Sequence, residues 1–278
     1  MGGTILMGYD VETASGSTKG FLEGAQELHQ KYDVPWTIYV TGQTIEARVE
    51  DVKRVAEDPL LTIAQHTYSH VLLKSIYMTP RDGKPIHGDE ETFFLAGGTL
   101  EKIRQEIEAT QKLLADLIDI QCRGLTGPWC YYRGLADRPD ILQILQDNGI
   151  RWIRTYGRDE RDCQPTPFTV QPFFYREHGF PDILELGLQG YQDDFYWERF
   201  DDRRHGNVYQ DYLYATLKEV AEHDWVWNLD SHDHATPTKH KFFETKGKWL
   251  EDSIVRGKDF NIRFVGPEEY YAERKVAA

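Results

Sequence analysis

At 278 residues, 40% hydrophobic and 28% charged, the chain can bury one large α/β core or two small ones, with the balance of a soluble globular protein. A formal net charge of −14 argues against a nucleic-acid backbone or an anionic membrane surface as partner. Three cysteines without CxxC spacing (Cys122, Cys130, Cys163), no basic leader and no long apolar run predict a reduced, cytoplasmic protein without a signal peptide or membrane span.

Residues 4–10, TILMGYD, are a short apolar run that reads as a buried strand. Residues 20–32 repeat apolar side chains at helical spacing, residues 35–42 are rich in β-branched and aromatic residues, and residues 44–58 are helical again. Residues 60–66 read as a third strand, so the chain opens as βαβαβ, which predicts a parallel sheet with crossover helices. Residues 71–98 carry Pro and Gly punctuation without a period, and a loop of that length is expected to be a lid or binding loop. The alternation then resumes. Residues 99–118 form an amphipathic helix capped by Thr99, residues 122–127 run from strand into loop, residues 138–149 form a helix ending at Gly149, and residues 150–156 form a strand. Strand, helix and strand follow at 182–188, 213–224 and 225–232. With no linker-like stretch, this favours one (β/α) barrel domain over residues 1–278, although an open sheet shows the same alternation.

In parallel α/β folds the reactive groups collect where strands end at the carboxyl edge. The first strand ends in Asp10-Val11-Glu12, whose two carboxylates fall on one side because strand side chains alternate. The third ends in QHTYSH, placing His66 and His70 four apart, on one face if the chain turns helical there. The last ends in DSHDH, with Asp230, His232, Asp233 and His234. Two histidines, one carboxylate and an open position make the ligand set of a catalytic zinc ion, with a second carboxylate available as base and a further histidine as acid. These residues alone do not decide between Asp10 and Glu12 as base.

The motif order resembles the polysaccharide deacetylase family, the NodB-homology group of carbohydrate esterases, over roughly residues 4–270. YDVE is similar to its acidic first motif in a divergent Asp-x-Glu form, HTYSH to its His-x-x-x-His motif, CRGLTGPW to its Arg/Pro/aromatic segment and LDSH to its late Leu-x-x-His. The resemblance implies a distorted (β/α) barrel, with Asp10 as general base, His232 as general acid and Arg123 orienting the base. It implies that Glu12, His66 and His70 hold a divalent metal, zinc being the expected ion. Asp159 and Asp162 are the candidates for an acidic fourth motif. The implied reaction removes an N-acetyl or other N-acyl group from an amino sugar or saccharide conjugate. DILELGLQGYQDDFYW also resembles the branch with allantoinase-like hydrolases, which leaves hydrolysis of a small cyclic amide, ureide or imide as the alternative. An inactive carbohydrate-binding homologue is the non-enzymatic one. Aromatic faces stack on sugar rings, which makes Trp129, Tyr131 and Trp197 candidates for substrate contact, within a wider set of Tyr132, Tyr156, Tyr191, Phe195 and Tyr196. The expected partner is a small-molecule or oligosaccharide substrate; the sequence leaves open a homo-oligomer in which the 71–98 insertion packs on a second subunit.

Overall fold

A computed structural model describes residues 2–79, 92–193, 196 and 208–276. Seven parallel strands form the frame: β1 (Thr4–Val11), β2 (Trp36–Val40), β3 (Leu61–Gln65), β6 (Gly124–Tyr132), β7 (Trp152–Arg158), β9 (Phe180–Glu185) and β10 (Val226–His232). Their order in the sheet is β10-β1-β2-β3-β6-β7-β9; short β8 (Phe173–Tyr175) is antiparallel to β9, and β11 (Arg263–Phe264) pairs with the start of β1. Helices α1 (Gly16–Tyr32), α2 (Gly42–Ala47), α3 (Val49–Ala56), α4 (Leu100–Leu113), α5 (Pro139–Asp147), α6 (Val208–His223), α7 (Lys239–Glu244), α8 (Lys246–Asp259) and α9 (Pro267–Val276) make the crossovers and close the chain.

Among the described residues β10 does not pair with β9. Side chains bridge the gap instead. Val226 N–H donates to Gln171 Oε1 at 2.8 Å, Asn228 N–H to Gln189 Oε1 at 3.1 Å, and Asn228 Nδ2 to the Leu186 carbonyl at 3.0 Å. Buried backbone groups at a sheet edge must be paired, and glutamine and asparagine amides do so here. The expected distorted barrel is therefore a barrel-like sheet whose last seam is closed by side chains.

Strand alternation divides the core in two. Outward residues such as Ile5, Met7, Ile38 and Ile63 pack against the helices, while Leu6, Tyr39, Ala64, Trp152, Leu184 and Leu186 fill the interior, with Val265 and Tyr270 in the same cluster. Two glycines make room inside. A Cβ on Gly124 would lie 2.0 Å from the Trp152 ring, and one on Gly8 would lie 2.8 Å from Tyr39 and 3.1 Å from the Arg154 guanidinium. Continuing each inward row toward the carboxyl edge reaches Asp10 on β1, His66 after β3, Thr126 on β6, Arg154 on β7, and Asp230 and His232 on β10.

Three local expectations change. The predicted helix at 44–58 is two helices, α2 and α3, broken at Arg48, whose φ of −133° is not helical. The 122–127 strand continues to Tyr132, bulging where β6 runs from Thr126 to Tyr131 while β7 runs only from Arg154 to Tyr156. The 71–98 insertion contains an antiparallel hairpin, β4 (Ile76–Met78) and β5 (Phe93–Leu95); residues 80–91 lie outside the described residues.

Between β1 and α1, fully buried His29 accepts from the Tyr9 hydroxyl at Nε2 (2.7 Å), while its Nδ1–H donates to the Val34 carbonyl (2.9 Å). The ring is thus neutral, and burial, only partly opposed by Val34, pushes its pKa from 6.5 down to about 3. On acidification the unfolded chain protonates this histidine below about pH 6.5 while the folded chain resists, so the stabilisation present above that pH is lost as pH falls toward 3. Between pH 7.5 and 5.5 the wild type is expected to lose about 1.4 kcal/mol more stability than His29→Gln, measured by urea unfolding. Equal losses would count against a neutral buried ring.

Candidate metal centre and acid–base site

Glu12 lies at the centre of a ring of imidazoles. Its Oε2 is 3.2 Å from His66 Nε2 and 3.0 Å from His70 Nε2, and its Oε1 is 3.1 Å from His234 Nε2. His66 is fully buried, and its Nδ1–H donates to the Thr126 carbonyl at 3.1 Å, which turns Nε2 toward the two acids. The 66–70 segment is not helical. Left-handed Thr67 and His70, both at φ 60°, turn the chain and set the two rings 4.7 Å apart and edge-on. Ser69 anchors the turn by donating N–H and Oγ–H to the Glu106 carboxylate at 2.6 and 2.7 Å.

These residues fit a divalent cation. A neutral His66 whose Nδ1 donates to a carbonyl aims a lone pair at the Glu12 carboxylate, and two acceptors at 3.2 Å repel unless a cation lies between them. Burial works against charge on His66, yet Asp10 and Glu12 outweigh it and raise its pKa. Burial likewise opposes a charged Glu12, but the His234, His66 and His70 imidazoles around it hold it well below the usual carboxylate range. The ligand atoms of Glu12, His66 and His70 fall within 4.8 Å of one another, and a two-nitrogen, one-oxygen set suits zinc.

Beside this cluster is a second one. Arg154 is completely buried; its Nη2 donates to Asp10 Oδ1, its Nη1 to Asp230 Oδ1 at 2.7 Å and its Nε to Thr126 Oγ1 at 2.9 Å. The guanidinium lies 4.1 Å from the Tyr39 ring centroid. With Oδ1 occupied, Asp10 directs Oδ2 inward, 3.7 Å from His66 Nε2 and 3.9 Å from His232 Nε2. Burial drives the Asp230 carboxyl upward, and the Asp10 charge adds to this against Arg154. His232 Nδ1 is 2.7 Å from Asp193 Oδ1, leaving its Nε2 toward Asp10. Asp193 also accepts from Ser231 Oγ at 2.7 Å and from buried Lys246 Nζ at 3.0 Å. Burial would raise the Asp193 pKa, but Lys246 and His232 hold it far below its ordinary value.

Asp10, Glu12, His66, His70 and His232 thus come together. Arg123 does not: it is exposed at the start of β6, at the opposite end of the strand. The arginine that meets Asp10 is Arg154, which the sequence reading did not name and which lies on the inward row of β7. Asp159 and Asp162 are local anchors, the first accepting from Arg161 and Cys163 N–H, the second from Tyr77 N–H. The acid that meets His232 is Asp193, whose one sequence signal is its place in the acidic and aromatic stretch 193–197. Lys246 has no comparable signal.

Of the aromatic candidates, Trp129 is half-buried on the β6 bulge, stacked 5.7 Å from Phe93 of the hairpin. Its φ of +66°, costly for a bulky residue, is held by buried Arg158, whose Nε donates to the Trp129 and Cys130 carbonyls at 2.7 and 3.0 Å. Tyr131 does not face a substrate space: it is 1% exposed and its hydroxyl accepts from Leu73 N–H at 2.7 Å. Trp197 and Phe195 lie outside the described residues. Tyr132 is exposed against Tyr156, and Tyr196 is buried among Tyr191, Tyr209 and Tyr212.

Carboxylate and imidazole groups thus gather at the carboxyl edge of the parallel sheet, where such folds carry their reactive groups. A family model for polysaccharide deacetylases matches residues 5–153, more than half of the chain, and the chain belongs to that family, a group of hydrolases acting on carbon–nitrogen bonds. No curated protein matches it in sequence. Solved structures share the fold at low identity. A candidate polysaccharide deacetylase from Mycobacterium smegmatis is 12% identical with a TM-score of 0.63, over 100% of this chain and 92% of its own. The PuuE allantoinase is 11% identical with a TM-score of 0.65, over 97% and 89%. BA3943, a CE4 family pseudoenzyme from Bacillus anthracis, is 12% identical with a TM-score of 0.56, over 98% and 66%. Among the described residues, no helix is long and apolar enough to cross a membrane.

The exchange of one arginine for another gives a direct test. Arg154→Met leaves Asp10 and Asp230 facing each other in a buried space and is expected to cost roughly 3–5 kcal/mol in denaturant unfolding. Arg123→Ala, at an exposed site, should stay within about 0.5 kcal/mol of wild type. Similar losses in the two variants would contradict the placement of Arg154.

Proposed function

We propose that the protein is a metal-dependent N-deacylase that removes an acetyl or similar acyl group from an amino sugar or saccharide conjugate. The observation that carries this reading is the joining of two clusters: Glu12, His66 and His70 as a cation site, and Asp10 Oδ2 between that site and His232. When bound there, a divalent cation supplies Lewis acidity toward an acyl carbonyl and lowers the pKa of a water molecule.

The chain's own residues supply the proton movements. Arg154 holds Asp10 by Oδ1, so Oδ2 is the atom that takes the proton from the attacking water. That water's oxygen adds to the acyl carbon, and the carbon–nitrogen bond then breaks. His232, oriented by Asp193 at Nδ1, delivers a proton from Nε2 to the leaving amine, giving a free amine and a carboxylate. Glu12 is a poor base here because three imidazoles engage its carboxylate, which favours Asp10 for that role. The half-buried Trp129 and the hairpin of the 71–98 insertion are assigned one wall of the substrate space, supported by the Trp129–Phe93 stack.

Elemental analysis of purified protein should find about one zinc per chain, lost in the His66→Ala/His70→Ala double variant; equal metal content in the two would overturn the metal site. Asp10→Asn should keep the metal and lose about 10²–10⁴-fold in turnover. Loss of metal in that variant would make Asp10 a ligand. A panel of N-acetylated amino sugars and cyclic ureides, followed by acetate release and by ring-opened product, decides the substrate class. Ring opening alone would favour the cyclic-amide reading, and saccharide binding without turnover the inactive one.

A further inference from the structure

The end of β10 carries Asp233 and His234, neither of which the proposed chemistry uses, and both of which act on Glu12. Asp233 is completely buried. Its Oδ1 accepts from the Glu12 and Thr13 N–H groups, each at 3.2 Å, while its Oδ2 accepts from Thr13 Oγ1 at 2.8 Å and Thr18 Oγ1 at 2.5 Å. Its own N–H donates to the Asp10 carbonyl at 3.0 Å. One carboxylate therefore fixes the backbone on which Glu12 stands. The next residue, His234, reaches the other end of the same side chain, with Nε2 3.1 Å from Glu12 Oε1. Its ring stacks on His232, centroids 5.2 Å apart at 25°.

We infer that Asp233 and His234 form a two-point clamp on Glu12, with His234 the positioning residue that reserves Oε1 and leaves Oε2 to face the cation site. This rests on the metal-site reading above. Glu12 Oε2 lies beside His66 and His70, and those three residues make one of two compact ligand-atom groups among the described residues, the other being Asp10, Asp230 and His232, whereas His234 contacts the opposite oxygen of Glu12. A glutamate is a long ligand, and fixing its rotamers costs conformational entropy. The clamp meets that cost before any cation arrives. Partners of this kind, hydrogen-bonded to a ligand rather than to the ion, typically change metal affinity by about 10–100-fold when removed.

Zinc affinity, measured by competition of the apo-protein with a chromophoric chelator, tests the clamp directly. His234→Ala should bind about 10–100-fold more weakly than wild type, and His234→Gln, which keeps an N–H donor, should recover most of the loss. At saturation the cobalt-substituted His234→Ala protein should show the wild-type visible absorption, because the ligand set is unchanged. An altered cobalt band would make His234 itself a ligand and overturn the positioning role, as would equal zinc affinity in wild type and His234→Ala. Failure of the wild type to bind zinc would instead remove the metal reading on which the clamp rests. The His234 side chain is 39% exposed, so its truncation leaves the core intact.

Discussion

The buried guanidinium of Arg154 is the contact on which the upper half of the barrel depends. Asp10 and Asp230 stand on neighbouring strands with their carboxylates almost fully buried. Two such charges side by side are tolerable only with a cation between them, and arginine offers a fork that serves both at once while packing against an aromatic ring. Arg154 does this above Tyr39, in the room that Gly8 leaves. The consequence is directional: one oxygen of Asp10 is committed, and the other has a fixed orientation toward His66 and His232. A lysine would supply charge without that constraint.

Everything around this contact follows from the two-residue period of the strands. Trp152 and Arg154, Gly8 and Asp10, Ala64 and His66, Asn228, Asp230 and His232 are successive members of inward rows, apolar or amide-bearing below and ionisable above. The lower members make a core from which solvent is excluded, which strengthens each electrostatic contact in the layer above. The open seam beside β10 belongs to the same logic. A backbone ladder there would bring β9 against β10; the glutamine and asparagine bridges instead close the edge while leaving the chain after β9 to deliver Asp193 to His232.

Much of this was legible in the sequence. Strand order along the chain, the single-barrel expectation and the gathering of Asp10, Glu12, His66, His70 and His232 required only alternation, strand ends and motif order. Arg123 was misleading because spacing from a motif is not position on a strand. It precedes the inward Gly124–Thr126 row at the wrong end, while Arg154, two residues beyond Trp152, had the right parity all along. Tyr131 was singled out by residue type alone, and the bulge at Gly127–Cys130, which no period can reveal in advance, sets its ring in the core. His70 was reached by left-handed turns rather than a helical one. Asp193 and Lys246 come from segments remote in sequence, and only tertiary packing brings them to His232.

Charge at the site constrains the chemistry more tightly than any single distance. Among the described residues, Asp10, Glu12, Asp193 and Asp230 gather their carboxylates around His66 and His232, and the fixed cations that meet them are Arg154 and Lys246. Arg154 is consumed by Asp10 and Asp230, and Lys246 by Asp193. Glu12 is left with imidazoles alone, and imidazoles balance a carboxylate only by taking protons or by sharing a cation with it. Burial disfavours several adjacent imidazolium rings, since each charged ring must be desolvated beside its neighbour. One divalent ion would offset the Glu12 charge, leave the histidines neutral as ligands and need no proton at any of them. The same reasoning separates the two acids of the first motif: Asp10 has its cation already, in Arg154, and Glu12 does not. The residue without a resident counter-charge is the one suited to hold an ion, and the residue with one is suited to move a proton.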